Sequence, residues 1–116
     1  MKTTTRVLTA AIVLCAGASA AADLGTAKES YTTFCVKCHG ASGRGDGPSA
    51  ATLKTKPRDF TDCDRMAKIP DDVMFKAIKE GGEAAGLSKD MPPWKQGFED
   101  AEIHDLVAYV RTFCKK

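Results

Sequence analysis

Cys35-Val36-Lys37-Cys38-His39 places two thiols three residues apart and an imidazole directly after the second. On a helical turn, residues i and i+3 share a face, so both sulfurs point the same way. Thiols so placed can bond the two vinyl groups along one edge of a porphyrin, and the adjoining imidazole can turn under the ring to its iron. The motif reads as the attachment site of a c-type haem, with Cys35 and Cys38 as thioether anchors and His39 as proximal ligand. Gly40 leaves the backbone room to pass close to the ring. Two other chemistries use these residue types. A thioredoxin-like dithiol calls for a βαβ setting, and no strand-rich pattern surrounds the motif. A zinc site needs a second ligand pair, whereas Cys63, His104 and Cys114 are scattered.

A second axial ligand decides between electron transfer and chemistry at an open iron. A thioether is soft, favours Fe(II) and blocks small molecules. Met66, Met74 and Met91 are the candidates. Met74 falls on the apolar face of an expected helix, where a core role explains it. Met66 lies in the segment between Cys63 and Pro70 and stays an alternative. Met91 follows Gly81-Gly82 and Gly86, and Pro92-Pro93 stiffens the backbone after it. A fixed loop can hold a sulfur against iron, which favours Met91. His104 would give a bis-histidine haem, but its place opposite the apolar stripe of the last helix reads as solvent-facing.

The elements that must position these residues are helical. Leu24, Ala27, Tyr31 and Phe34 recur at helical spacing and lead into the motif. Residues 40–68, rich in Gly, Ser, Thr and Pro, read as loop with a short helical turn near Ala50–Leu53. A helix is expected from about Pro70 to Glu80, with Pro70 in its first turn, Asp71 and Asp72 complementing the dipole, and Gly81-Gly82 ending it. The last helix carries Ile103, Leu106, Val107, Val110 and Cys114 on one stripe. Phe98 and Ile103 form a hydrophobic staple around its acidic first turn, and Arg111, Lys115 and Lys116 lie at its end. Alternating strand patterns are missing, so the fold class is all-α, with about three to five helices around one haem.

Residues 1–22 read as a cleaved secretory leader: Lys2 and Arg6, an apolar run from Val7 to about Ala18, then Ala18-Ser19-Ala20 or Ala20-Ala21-Ala22 for cleavage. The run is short for a membrane span. Cys15 follows bulky Leu14, where lipoprotein signals place a small residue, and reads as an ordinary leader residue. Without Lys2 and Arg6 the 17 basic and 15 acidic side chains become 15 of each, so residues 23–116 are formally neutral. Their mixed charge, with local groups such as Lys54, Lys56 and Arg58, is no nucleic-acid footprint. Export to an oxidising compartment favours a Cys63–Cys114 disulfide, with two separate buried thiols as the alternative.

Cys35 to Gly40, Gly45-Asp46-Gly47-Pro48, Met91-Pro92-Pro93-Trp94 and Leu106 to Val110 together resemble a small bacterial class I c-type cytochrome, over about residues 24 to 114. The resemblance implies a compact fold around one haem c, crossed first and last helices with Ala27 and Tyr31 meeting Leu106 and Tyr109, and Met91 as the axial methionine. It also implies a carbonyl accepting from the second ring nitrogen of His39, with Pro48 the first candidate and Pro57 the second. Trp94 either reaches a propionate through its indole N–H or packs over the haem edge. The expected function is a soluble, monomeric periplasmic electron carrier that cycles Fe(III)/Fe(II) with transient redox-protein donors and acceptors. It would dock near Lys37 and the Met91 loop, with Lys89 and Lys95 at the rim. The alternatives are a haem enzyme or gas sensor with a displaceable sixth ligand, and a cytochrome subunit of a larger oxidoreductase.

Overall fold

The computed structural model describes residues 9–14, 17 and 20–115. Lys2, Arg6, Cys15, Ala18, Ser19 and Lys116 lie outside the described residues, and with them most of the expected leader. Among the described residues every regular element is helical.

The first helix, α1 (Leu24–Ser30), starts at Asp23, whose carboxylate accepts from the Thr26 N–H at 3.0 Å. Such a cap satisfies a donor that the first turn leaves free. The chain continues without a break through a π-helical turn, Tyr31–Cys35, into α2 (Val36–His39). Thr32 and Thr33 supply a cause for the wide turn. Their hydroxyls donate to the carbonyls of Lys28 (2.8 Å) and Glu29 (2.9 Å). A side chain bonded to the i−4 carbonyl competes with the backbone ladder and bends it. The π turn also changes which residues share a face. Ala27 and Tyr31 are buried as expected, whereas Leu24 and Phe34 are largely exposed, Phe34 at 48%.

The final helix, α5 (Asp100–Arg111), opens with a capping box in which the Glu99 N–H donates to the Glu102 carboxylate at 2.8 Å. Ile103, Leu106, Val107 and Val110 are buried along it. Burying each such side chain contributes roughly 1.5–3 kcal/mol. α1 packs against α5, with the rings of Tyr31 and Tyr109 5.3 Å apart. The helix ends before Cys114, which the periodicity had placed on its stripe. A turn follows, in which the Thr112 hydroxyl donates to the Tyr109 carbonyl at 2.6 Å. Cys114 is bonded to Cys63, with Cα atoms 5.1 Å apart.

Two helices lie between these ends. α3 (Cys63–Met66) is capped by Asp62, which accepts from the Arg65 N–H at 3.0 Å, so Met66 sits on a short helix rather than in a loop. α4 (Asp71–Glu80) starts after Pro70, the capping residue rather than a first-turn residue, and stops at Gly81, whose φ of +89° suits glycine. Arg111 ties α5 to this region, donating to Asp71 (2.8 Å) and to the carbonyls of Met66 (2.7 Å) and Ile69.

Candidate haem site

The loop after His39 folds back along α2. The N–H groups of Gly45, Gly47 and Ser49 donate to the carbonyls of His39 (2.8 Å), Cys38 (3.1 Å) and Lys37 (2.9 Å). These are C-terminal helix carbonyls that the helix itself cannot satisfy. Glycine is required at 47 because a Cβ there would collide with the carbonyl oxygens of Val36 and Lys37. The buried Tyr31 hydroxyl donates to the Gly40 carbonyl at 2.8 Å, a second clasp on the same turn. Sequence reading missed this clasp, for only a phenol nine residues upstream could have signalled it.

Cys35, Cys38 and His39 line a cleft of about 1020 Å³. That is the upper end of the range of roughly 300–1,000 Å³ for cofactor sites. Cys35 and Cys38 are free thiols, and burial pushes Cys35 up to about 11 with help from Cys38. Burial lowers His39 to about 4, so its imidazole is neutral near pH 7 with a lone pair to offer a metal. Its Nδ1 is buried without a hydrogen-bond partner. Nε2 is thus the nitrogen left for a metal in the cleft.

Neither the Pro48 nor the Pro57 carbonyl is hydrogen-bonded to Nδ1 here. Instead the ring of Phe60 lies nearly parallel to the imidazole, 4.8 Å away at 17°.

All three candidate methionines line the cleft. Met66 is 1% exposed and packed in the core, and Met74 is buried beside it. Met91 is only half-buried, on a loop clipped to the end of α4. Its carbonyl accepts from Gly82 (2.9 Å), and the N–H groups of Trp94 and Lys95 donate to Ile78 (2.9 Å) and Lys79 (3.2 Å). Free helix-end carbonyls thus hold the loop where Met91 borders the cleft. Trp94 packs against Phe34 (5.7 Å) and Phe98 (6.1 Å). His104 is exposed and stacks on Phe75 at 4.3 Å, away from the cleft-lining residues.

These residues fit a covalently held haem. Two free thiols and a neutral imidazole meet in an apolar cleft, and Phe34 and Leu87, large exposed hydrophobic residues, stand at its edge. Lys37, Arg44, Lys56, Arg58, Arg65 and Lys68 border it against Asp59 and Asp90, a positive mouth suited to propionates. The zinc reading finds no ligand set: among the described residues no group of three or more His, Cys, Asp or Glu could hold a metal ion.

Fold and site together define a c-type cytochrome. Residues 22–110 match the family described as Cytochrome C oxidase, cbb3-type, subunit III, and the chain belongs to that family. Cytochrome c-554(548) of Halomonas halodenitrificans is 29% identical over 75 residues, 65% of this chain and 78% of that protein. The KustC0563 c-type cytochrome superposes with a TM-score of 0.63 at 29% identity, over 77% of this chain and 98% of that one. A chain of the Kuenenia stuttgartiensis reducing HAO-like protein complex Kustc0457/Kustc0458 also superposes at 0.63, with 28% identity, over 79% of this chain and 44% of that one. The protein is a c-type cytochrome that carries electrons, and its family implies covalently bound haem c.

Proposed function

We propose that this chain is a soluble periplasmic one-electron carrier, not an enzyme, holding one haem c between His39 and Met91. The observation that carries the reading is the shared cleft, bordered by the CxxCH turn and by the clipped Met91 loop. When bound, the haem supplies a one-electron Fe(III)/Fe(II) couple. Cys35 and Cys38 fix the ring's edge, and the single CxxCH sets the number of haems at one. His39 offers an uncharged donor, and Met91 offers a soft sulfur that favours the reduced state. Phe34, Trp94 and Phe98 line the cleft wall, and the indole N–H of Trp94 would be a donor for a propionate there. The export reading rests on residues 1–22, which combine Lys2 and Arg6 with an apolar run, and among the described residues no helix is long and apolar enough to cross a membrane. Redox partners, met transiently by a monomer, approach the mouth near Lys37 and Lys89. Lys95 is drawn aside by Glu80 at 2.9 Å.

The absorption spectrum of the ferric protein tests this, with and without cyanide or imidazole. A low-spin spectrum with the weak red-edge band of sulfur-bound iron is expected, with slow ligand uptake. A high-spin spectrum with rapid cyanide binding would favour the enzyme or sensor reading. The alternative of a subunit in a larger oxidoreductase draws support from the family's description and from the neighbour in the HAO-like complex. Co-purification with a stoichiometric partner would favour it.

A further inference from the structure

The end of α5 grips the short helix α3 and the turn after it at two points. Where α3 starts, Cys63 is bonded to Cys114. Where it ends, the Arg111 guanidinium reaches acceptors on three different residues. Nη1 donates to the Met66 carbonyl at 2.7 Å, Nη2 to the Ile69 carbonyl, and Nε to the Asp71 carboxylate at 2.8 Å. Asp71 opens α4, so one side chain joins α3, the connecting turn and α4. A planar fork can serve such acceptors at fixed angles, whereas a lysine supplies a point charge on a flexible stem. Only 31% of the Arg111 side chain is exposed, so salt screens these bonds less than it would surface ones.

The stretch that Arg111 holds from outside is a wall of the cleft on its other side. Met66, Ile69 and Pro70 line the cleft, with Met66 1% exposed. Arg111 does not line it, and touches this wall through the two backbone carbonyls. As a sequence, Arg111 reads only as a cation suited to a helix end.

We propose that Arg111 is a positioning residue for the haem cleft: oriented by Asp71, its guanidinium sets the place of the 66–70 wall, while the Cys63–Cys114 bond holds the other end of α3. The inference rests on the haem lying in this cleft. A wall held in place keeps water from the ring, which favours the less charged ferrous site and raises the potential.

The ferric absorption spectrum of the wild type is recorded first, and one without haem ligation would sink the functional reading rather than the clamp. NMR of the reduced holoprotein follows. Resolved, slowly exchanging N–H signals from the Arg111 guanidinium are expected, and averaged, fast-exchanging ones would overturn the proposal without any variant. Arg111→Lys keeps the charge and removes the fork. Amides of residues 66–74 should then exchange roughly tenfold faster while those of α1 do not change. The haem-methyl shifts of the ferric protein should move, and the potential should fall. Unchanged shifts and potential, or exchange raised equally in every helix, would reduce Arg111 to general stability. If Arg111→Lys yields no holoprotein, Asp71→Asn is read in the same way, since it keeps the cation and loosens its orientation.

Discussion

His39 is neutral because its surroundings exclude its charged form, and that has a consequence in acid. With its folded pKa lowered from 6.5 to about 4, the folded chain binds fewer protons than the unfolded chain between those values. Stability is fully present above about 6.5 and falls as pH drops toward 4, by on the order of 3 kcal/mol. Iron on Nε2 would push the shift further in the same direction. The lowered carboxyl groups of Asp23, Asp59 and Glu80 act only below their ordinary values of 3.8, 3.8 and 4.5. Denaturant titrations at pH 7 and 5 therefore isolate the histidine, and equal midpoints would refute the expectation. The methionines separate just as cleanly. Met91→Ala should abolish the sulfur-to-iron band with little loss of stability, since Met91 is half-buried. Met66→Ala should keep the band and cost about 2–5 kcal/mol, as a truncated core residue does. The reverse pattern, read by absorption and thermal melts, would move the ligand to Met66. Tyr31→Phe removes one of two donors to the Gly40 carbonyl, which keeps the Gly43 N–H at 3.1 Å, and a loss of roughly 0.5–1.5 kcal/mol is expected in the same melts.

Elements differ in how plainly their residues announce them. α4 and α5 were readable because periodicity, acidic first turns and a stop at Gly81 agreed with one another. The CxxCH turn was readable because its chemistry demands fixed spacing, and the Met91 segment was readable as loop because Gly81-Gly82 and Pro92-Pro93 interrupt any helix there. The π turn was not, since threonines that bond an i−4 carbonyl also occur in unbroken helices, so Thr32 and Thr33 do not announce one by themselves. α3 was missed because four residues carry no period, and its sole marker is the Asp62 cap. Which carbonyl meets His39 was not legible, because it depends on how the loop folds back at Gly47. The Cys63–Cys114 bond closes a loop across a sequence separation of 51. In the chain-entropy account such a closure contributes roughly 4 kcal/mol. Reducing it in the holoprotein should lower the denaturation midpoint accordingly while the haem stays attached. An unchanged midpoint would show that the link adds nothing beyond the α1–α5 packing.

For the whole molecule, ligand saturation and charge placement make separate demands. If His39 and Met91 both hold iron, reduced protein should bind carbon monoxide slowly and show no peroxidase turnover. Stopped-flow mixing with carbon monoxide checks this, and fast binding would put the open-site reading first. Residues 23–116, formally neutral, suggest weak salt dependence, yet cations gather at the cleft: six side chains there against two carboxylates. Propionates offset part of that excess, leaving a local field. Electron exchange with an acidic redox protein should therefore slow as salt rises, and exchange with a basic one should not.

The same chain asks for two incompatible redox treatments on its way to this structure. Cys63 and Cys114 must be oxidised, while Cys35 and Cys38 must stay reduced until vinyl groups arrive. Cys35, Cys38, Cys63 and Cys114 can form six different single bonds, and only Cys63–Cys114 leaves both thiols of the haem turn free. Burial of Cys35 holds it as the thiol rather than the reactive thiolate, which slows its capture by an oxidant. Maturation is thus a race between bond partners, and an order of events is written into it. A chain oxidised before it has wrapped its first turn is expected to end as a Cys35–Cys38 dead end, recoverable only by a reductant that spares the Cys63–Cys114 bond.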